Sequence, residues 1–146
     1  MNRLIITAVL TIVMTSCVTT QSLYWWGGTS GDATKYESLA YQLYDKQTPK
    51  SICDLVATYE KMVSSPIGSR RMPPPGICAE YGYLLLQPET ATVFTDYASY
   101  GQKRLFKTSN YEALFQERGK EMLQKEIEFY PESAVFILPL IKKLTE

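Results

Sequence analysis

Residues 76–86 read GICAEYGYLLL and determine the expected architecture of the chain. Apolar side chains cover nearly the whole circumference of a helix built from them, so this segment is predicted to be a buried central helix. Pro88 ends the helix, because the residue before a proline disfavours helical backbone angles. In the spacing Ala79-x-x-Gly82-x-x-Leu85, the small residue Gly82 would let a second helix approach closely. We therefore expect an all-α fold.

Two amphipathic segments precede the central helix. Thr34 and Glu37 form a capping box, and Thr48 caps a second helix with Pro49 at its first position, where a missing N–H costs nothing. Apolar residues recur at helical spacing in both segments, namely Tyr36, Leu39, Ala40, Leu43 and Tyr44 in the first, and Ile52, Leu55, Val56, Tyr59, Met62 and Val63 in the second. Because only a short turn joins them, we expect an antiparallel helical hairpin.

The pattern after the central helix is less regular. Residues 89–108 suggest one short helix followed by a break. Ser109 and Glu112 predict a second capping box for a long amphipathic helix that ends before Pro131, and a last helix follows. Residues 34–146 are thus predicted to form about five helices. The spacing Ala79-x-x-Gly82-x-x-Leu85, followed by a long helix that ends at Tyr130-Pro131, resembles a tetratricopeptide unit, so we expect tetratricopeptide-like hairpins. The repeat is degenerate, because the second unit carries a long insertion between its two helices.

The composition excludes several classes of function. The 146 residues include 15 basic and 15 acidic side chains and no histidine. Without histidine the chain cannot carry Ser-His-Asp or Cys-His catalysis, an imidazole base or a histidine-ligated metal. Balanced charge gives no electrostatic reason to expect nucleic acid as a partner. We expect no cofactor, no metal ion and no nucleic-acid partner.

The first 16 residues are typical of a bacterial lipoprotein signal peptide. Arg3 supplies a positive charge, and the apolar run over residues 4–14 would span about 16 Å as a helix, too short for a bilayer core of ~30 Å. The sequence Met14-Thr15-Ser16-Cys17 then resembles a lipobox, in which the cysteine is acylated and becomes the N-terminus. An ordinary secretory signal with a coincidental cysteine is the alternative. Val18, in place of an aspartate, implies sorting to the outer membrane, by resemblance to Gram-negative lipoproteins.

These features divide the chain into three parts. Residues 1–16 are the expected signal peptide, residues 17–33 hold the lipidated Cys17, a tether and an aromatic entry segment, and residues 34–146 form the helical domain. The residues between Cys17 and Tyr24 reach about 20 Å when fully extended at ~3.3–3.6 Å per residue, so the domain is expected to lie close to the lipid. We expect a lipid-anchored protein of the outer membrane that faces the periplasm.

Three blocks of sequence resemble a known family. They read LYWWG at residues 23–27, PPGICAEYGYLL at 74–85 and EIEFYPESAVFI at 126–137. Together they are similar to a family of small bacterial outer-membrane lipoproteins classed as a domain of unknown function. The resemblance implies a tetratricopeptide-like body and an assembly with a CsgG-like lipoprotein and a third small lipoprotein, which are often encoded beside members of the family. It implies no catalytic residue.

Two segments are candidates for partner contact. The aromatic cluster at residues 24–26 could bind a partner or glycan strands, or it could pack against the helical domain and fix where the chain enters it. The loop over residues 65–75 holds two arginines that could meet anionic lipid headgroups or an acidic partner, or simply be solvated. It also holds three consecutive prolines, which stiffen it. The candidate contact residues are Tyr24, Trp25, Trp26, Arg70, Arg71, Pro73, Pro74 and Pro75.

Two cysteines of the helical domain could form a disulfide in an oxidising periplasm. They are Cys53 on the second predicted helix and Cys78 on the third. Two buried free thiols are the alternative, and both possibilities stay open because sequence does not reveal whether the geometry permits a bond.

Three glutamates are the candidates for acid–base chemistry. Glu126 and Glu128 are two positions apart on a helix and point to different faces, so they cannot form a catalytic carboxylate pair. Glu80 is expected to bond a helix end or a tyrosine. We expect no enzyme, and the sequence favours a non-enzymatic, protein-binding accessory subunit of a CsgG-like secretion or envelope assembly. The alternative is a periplasmic lipoprotein that binds or hydrolyses peptidoglycan.

Overall fold

The computed structural model of the protein describes residues 21–145. The predicted signal peptide and Cys17 lie outside these residues. A small antiparallel hairpin of β1 (Thr29–Ser30) and β2 (Ala33–Thr34) precedes the helices. The helices are α1 (Lys35–Lys46), α2 (Pro49–Ser64), α3 (Ile77–Leu85), α4 (Pro88–Tyr97), α5 (Tyr100–Lys103), α6 (Tyr111–Phe129) and α7 (Ala134–Thr145), with a 3₁₀ turn at Pro131–Ser133 before α7. The predicted all-α class is confirmed.

Helices α1 and α2 form the predicted antiparallel hairpin. At the start of α1, Thr34 Oγ1 accepts a hydrogen bond from the Glu37 N–H (3.2 Å), and the Glu37 carboxylate accepts one from the Thr34 N–H (2.9 Å). Thr48 caps α2 by accepting from the Ser51 N–H at 3.1 Å. The ring of Tyr36 near the start of α1 lies 5.9 Å from that of Tyr59 near the end of α2, so the two helices run in opposite directions.

Helix α3 packs antiparallel against α6 at the close approach expected from Gly82. A Cβ atom on Gly82 would lie 2.7 Å from the carbonyl oxygen of Gly119, and one on Gly119 would lie 2.6 Å from Leu86 Cγ. Both positions therefore require glycine, because any side chain would push the helix backbones apart. The predicted burial of α3 is correct for one face only, since Tyr81 and Leu85 are buried whereas Glu80 and Tyr83 are exposed.

The segment between α3 and α6 differs from its prediction. It folds into two helices, α4 and α5, and with them residues 21–145 contain seven α-helices where about five were expected. The predicted capping box of Ser109 and Glu112 is wrong. Asn110 caps α6 instead, and its Oδ1 accepts from the Ala113 N–H at 3.1 Å. A capping box does occur earlier, where Ser99 and Gln102 begin α5.

Two apolar clusters hold the helices together. In the larger cluster, the Phe94 ring of α4 meets Phe106 and Phe115 edge-on, with ring centroids 5.2 and 5.3 Å away. Edge-to-face geometry at this distance is favourable for aromatic rings. A smaller cluster of Leu86, Leu123 and Ile137 fixes α7 against α3 and α6. The long insertion of the second hairpin thus supplies core residues and is not a loop.

Candidate functional site

The entry segment joins the helical body through backbone hydrogen bonds to the loop over residues 65–75. The Ser69 N–H donates to the Ser22 carbonyl (3.1 Å), and the Arg70 N–H donates to the Leu23 carbonyl (3.3 Å). Gly68 allows this contact, because its φ is +111° and a Cβ atom there would lie 2.7 Å from the Leu23 oxygen. The chain that comes from Cys17 therefore reaches the body at this loop.

Two apolar and two basic side chains are exposed at that junction. Leu23 and Ile67 are 58% and 56% exposed, and Arg70 and Arg71 are exposed beside them in sequence. The Arg70 guanidinium lies 5.9 Å from the centre of the Tyr24 ring, a cation–π contact. The Arg71 N–H donates to the Gly68 carbonyl at 3.2 Å, which closes the turn. Of the predicted contact residues, this arginine pair is available at the surface.

The prolines of the same loop differ from one another. Pro73 and Pro74 are buried, and only Pro75 is exposed. The Tyr130 hydroxyl donates to the Pro73 carbonyl at 2.6 Å and ties the loop to the end of α6. The prediction that all three prolines offer a contact surface is therefore wrong for Pro73 and Pro74, because the helical body covers them.

The aromatic cluster at residues 24–26 packs against the body, as the second of its two interpretations proposed. Trp25 and Trp26 are half-buried against the larger core, and the Trp26 ring lies 5.5 Å from that of Tyr36. The Tyr36 N–H donates to the Trp26 carbonyl at 3.3 Å. These rings fix the entry of the chain and leave little free area for a partner.

Glu80 accepts hydrogen bonds from two tyrosines, in agreement with the prediction that it bonds a helix end or a tyrosine. Its Oε2 accepts from the hydroxyls of Tyr36 (2.8 Å) and Tyr59 (2.7 Å). Burial, followed by the neighbouring Glu80 charge, raises the pKa of both hydroxyls above the ordinary value for tyrosine. The phenols stay protonated as donors, and the carboxylate fixes the start of α1 against α2.

A second carboxylate network joins α2 to α6, and the sequence did not reveal it. Glu60 accepts from the Tyr81 hydroxyl (2.7 Å) and pairs with the Arg118 guanidinium (3.0 Å). Arg118 also pairs with Glu121 at 2.8 Å. Glu60, Arg118 and Glu121 line one side of a surface groove of about 410 Å³. Glu60 and Arg118 each have further polar partners besides one another, so the network mainly fixes how the two hairpins meet.

Glu126 caps the central helix from across the fold. It is buried, and its two carboxylate oxygens accept from the N–H groups of Gly76 (2.7 Å) and Ala79 (3.3 Å). Gly76 has no side chain to cap α3, so an anion from α6 satisfies the free donors of that helix end. Glu128 is exposed, which agrees with the prediction that the two glutamates point to different faces.

Cys53 and Cys78 are free thiols in the structure, the second of the two alternatives left open by the sequence. Both are buried, with the Cys53 sulfur 3.8 Å from the Val93 carbonyl oxygen on α4. Burial, with the charge of Asp54, raises the pKa of Cys53 to about 11. Burial, with the charge of Glu126, raises the pKa of Cys78 to about 12. The thiols therefore stay protonated, and they are not bonded to each other.

The last helix presents an apolar surface that the sequence analysis did not single out. Val135, Phe136 and Leu138 are 71%, 76% and 58% exposed. Ile137, one position away, is buried on the opposite side of the helix against Leu123. We call the three exposed residues the α7 face. An apolar pattern alone could not have identified it, because the buried and exposed sides of α7 are equally apolar.

Residues 21–145 contain no helix that is long and apolar enough to cross a bilayer. Within the same residues, no three cysteine, aspartate or glutamate side chains are grouped where they could bind a metal ion. Comparison of the chain with protein-family models, with curated proteins and with solved structures finds no match.

Proposed function

We propose that the protein is a lipoprotein of the outer membrane, anchored through acylated Cys17 and facing the periplasm, that binds another protein without enzymatic activity. The family resemblance of its sequence suggests the partner, a CsgG-like lipoprotein in an assembly with a third small lipoprotein. The protein would then act as an accessory subunit that positions or stabilises this complex.

The observation that supports protein binding is the α7 face. Val135, Phe136 and Leu138 lie on one side of a helix that the smaller core holds in place. Adjacent exposed apolar side chains on an ordered surface mark interaction sites, because their burial by a partner removes apolar area from water. Phe136 is the expected anchor, since aromatic residues are enriched at the centres of protein interfaces.

The hydrogen bonds and ion pairs of three glutamates support the non-enzymatic part of the proposal. Glu80 accepts two tyrosine hydroxyls, Glu60 pairs with Arg118, and Glu126 caps α3. A general acid needs a proton to donate to substrate, whereas these groups act as acceptors inside the fold. Their arrangement favours a structural role.

A detergent pull-down of the tagged, full-length protein from its own host tests the proposal. We expect stoichiometric recovery of another outer-membrane lipoprotein, and its loss from the Phe136→Ser variant. The matched control is Tyr97→Ser, because Tyr97 is an aromatic residue of similar exposure (64%) on a different helix. Equal recovery with both variants would exclude the α7 face as the binding site, and the absence of any partner would count against the function.

The exposed tyrosines of α1 favour a second candidate, peptidoglycan binding. Tyr41 and Tyr44 are 79% and 91% exposed and, with Ala40 and Asp45, line a groove of about 630 Å³. Flat, exposed rings with a polar edge suit a glycan partner. Sedimentation of the protein with isolated sacculi, abolished by Tyr44→Ala and unaffected by Phe136→Ser, would support this candidate. Release of muropeptides, lost in Glu80→Gln, would make it a hydrolase.

A further inference from the structure

We infer that Leu23, Ile67, Arg70 and Arg71 form a membrane-contact surface, here called the entry patch, that rests on an anionic bilayer. The inference depends on the lipid anchor in the proposed function and adds the orientation of the folded body to it. One end of the body, at the loop over residues 65–75, would face the lipid, and the opposite end of the α1–α2 hairpin would face the periplasm.

The backbone contacts of the entry segment fix which end of the body lies near the anchor. Ser22 and Leu23 are hydrogen-bonded to Ser69 and Arg70, at 3.1 and 3.3 Å. Only residues 18–21 separate Cys17 from Ser22, and this part of the chain reaches about 18 Å at most, at ~3.3–3.6 Å per residue. Ser22, directly beside the entry patch, therefore cannot lie farther than this from the acylated residue.

The far end of the hairpin is beyond that reach. Helix α2 has 16 residues and is about 24 Å long at ~1.5 Å per residue. It runs from Pro49, beside the end of α1, to Ser64, directly before the loop that carries the entry patch. In the proposed orientation α2 points away from the bilayer, and this holds Tyr44, at the far end and 91% exposed, away from the lipid.

The side chains of the entry patch suit an anionic interface. Leu23 and Ile67 are more than half exposed, and an interface would shield their apolar area from water. No ion pair among residues 21–145 uses Arg70 or Arg71, and neither the loop (65–75) nor residues 21–28 contain an acidic residue. Each arginine near an anionic membrane surface strengthens the contact about fivefold. Tyr24, under the Arg70 guanidinium, has the amphipathic ring typical of the headgroup level.

Site-directed spin labelling of the mature protein, purified from host membranes, tests the orientation. Nitroxides are attached at Ile67→Cys and, as the matched control, at Tyr44→Cys, and the protein is reconstituted into vesicles of phosphatidylethanolamine and phosphatidylglycerol. Cys53 and Cys78 do not interfere, because both are buried. We expect the label at position 67 to be relaxed mainly by oxygen, which dissolves in lipid, and the label at position 44 by a water-soluble nickel chelate. Equal nickel accessibility at both positions would overturn the inference.

Two changes, one in the charge of the entry patch and one in the lipid composition of the vesicles, distinguish binding to anionic lipid from binding to an acidic protein. Replacing Arg70 and Arg71 together by glutamine, or using phosphatidylcholine vesicles, should raise nickel accessibility at position 67 several-fold. If neither change has an effect, the anionic lipid is not the ligand. Protection of position 67 that requires another host protein in place of anionic lipid would also overturn the inference.

The labelling yield of the unchanged chain tests the anchor independently. With Cys17 acylated and the other two thiols buried, we expect no label on the folded protein. One label per chain would show that Cys17 is free, and the proposed anchor would then be wrong whatever position 67 reports. No label on the unchanged chain, together with a water-exposed position 67, would leave the anchor intact and exclude the entry patch alone.

Discussion

Gly68 is the residue that allows the entry segment to join the helical body. Its φ of +111° is unfavourable for any L side chain, and a Cβ atom would lie 2.7 Å from the Leu23 carbonyl oxygen. We expect Gly68→Ala to lower the free energy of unfolding by about 1–3 kcal/mol, because it adds a steric conflict to backbone strain. Urea denaturation followed by circular dichroism measures the loss.

Gly28 provides the control for that substitution. Its φ is +97°, but a Cβ atom there would meet nothing within 4 Å. Gly28→Ala therefore carries the backbone strain without the steric conflict, and its loss of stability should be smaller. A loss in Gly28→Ala as large as that in Gly68→Ala would show that the contact with Leu23 contributes nothing.

The two buried thiols make the fold sensitive to alkali. Burial and neighbouring carboxylates raise the pKa of Cys53 to about 11 and that of Cys78 to about 12, against 9.0 for an exposed thiol. Above pH 9 the unfolded chain loses these protons before the folded chain does, so the free energy of unfolding falls as the pH rises through this window. We expect urea midpoints to decrease from pH 8 to pH 10.

Replacement of the thiols provides the check on that trend. The double variant with Cys53→Ala and Cys78→Ala is expected to show a shallower decrease, because the raised pKa values of the two thiols no longer contribute to it. Alkylation with iodoacetamide gives an independent measurement, since both thiols are buried and should react only after unfolding. Rapid alkylation of either thiol in the folded chain would contradict the structure.

At the scale of helices, local signals were enough to predict α1 and α2 but not the start of α6. Thr34 and Thr48 cap their helices as expected, because capping involves residues three positions apart. At the start of α6, Ser109 and Asn110 are adjacent polar residues that could each cap the helix. The Asn110 N–H donates to Thr108 Oγ1 (3.1 Å), and this turn places Asn110, not Ser109, at the cap. Pattern alone does not decide between neighbouring cap residues.

The carboxylate contacts between helices could not be predicted, because they join distant parts of the chain. Glu126 reaches Gly76 from 50 positions away, and Arg118 reaches Glu60 from 58 positions away. The sequence suggested only that Glu80 would bond a tyrosine or a helix end, and the structure shows two tyrosines there. The pairing of partners follows from tertiary packing, which a single sequence does not specify.

Glu126→Gln tests the cap on α3. The amide keeps one acceptor but turns N–H groups toward backbone donors, so at least one buried N–H loses its partner. We expect the free energy of unfolding to fall by about 1–3 kcal/mol, the usual cost of an unsatisfied buried group. Urea denaturation measures the change. The control is Glu128→Gln, because Glu128 is exposed two positions away and should change stability by less than about 0.5 kcal/mol.

At the scale of the whole molecule, the sequence predicted the class of fold but not the surfaces. The sequence left two interpretations of Trp25 and Trp26 open, a partner-binding surface or packing against the body, and the structure shows packing. Pro73 and Pro74 are buried, and the Pro73 carbonyl accepts a hydrogen bond from Tyr130, which the sequence does not place beside it. The α7 face escaped prediction because Phe136 is exposed and Ile137 is buried, although both are apolar.

Cys17→Ala tests the anchor in cells. Without the thiol, no acyl chain can be attached, and the lipid contribution to membrane binding of ~0.8 kcal/mol per buried CH₂ is lost. We expect the protein to leave the outer-membrane fraction and to appear either as a soluble periplasmic form or as an uncleaved precursor held in the inner membrane by its signal peptide. Fractionation of host cells, with Cys53→Ala as the control, measures the change. Unchanged outer-membrane association of a processed Cys17→Ala protein would contradict the lipid anchor.

Photo-crosslinking from position 136 in living host cells tests the proposed function most directly. A benzophenone amino acid replaces Phe136 in one strain and Tyr97 in another, and adducts are identified by mass spectrometry after irradiation. We expect one major adduct at position 136, formed with another outer-membrane lipoprotein and dependent on Cys17, and none at position 97. The absence of an adduct at position 136, or the same adducts from both positions, would contradict the assignment of the α7 face as a protein-binding surface.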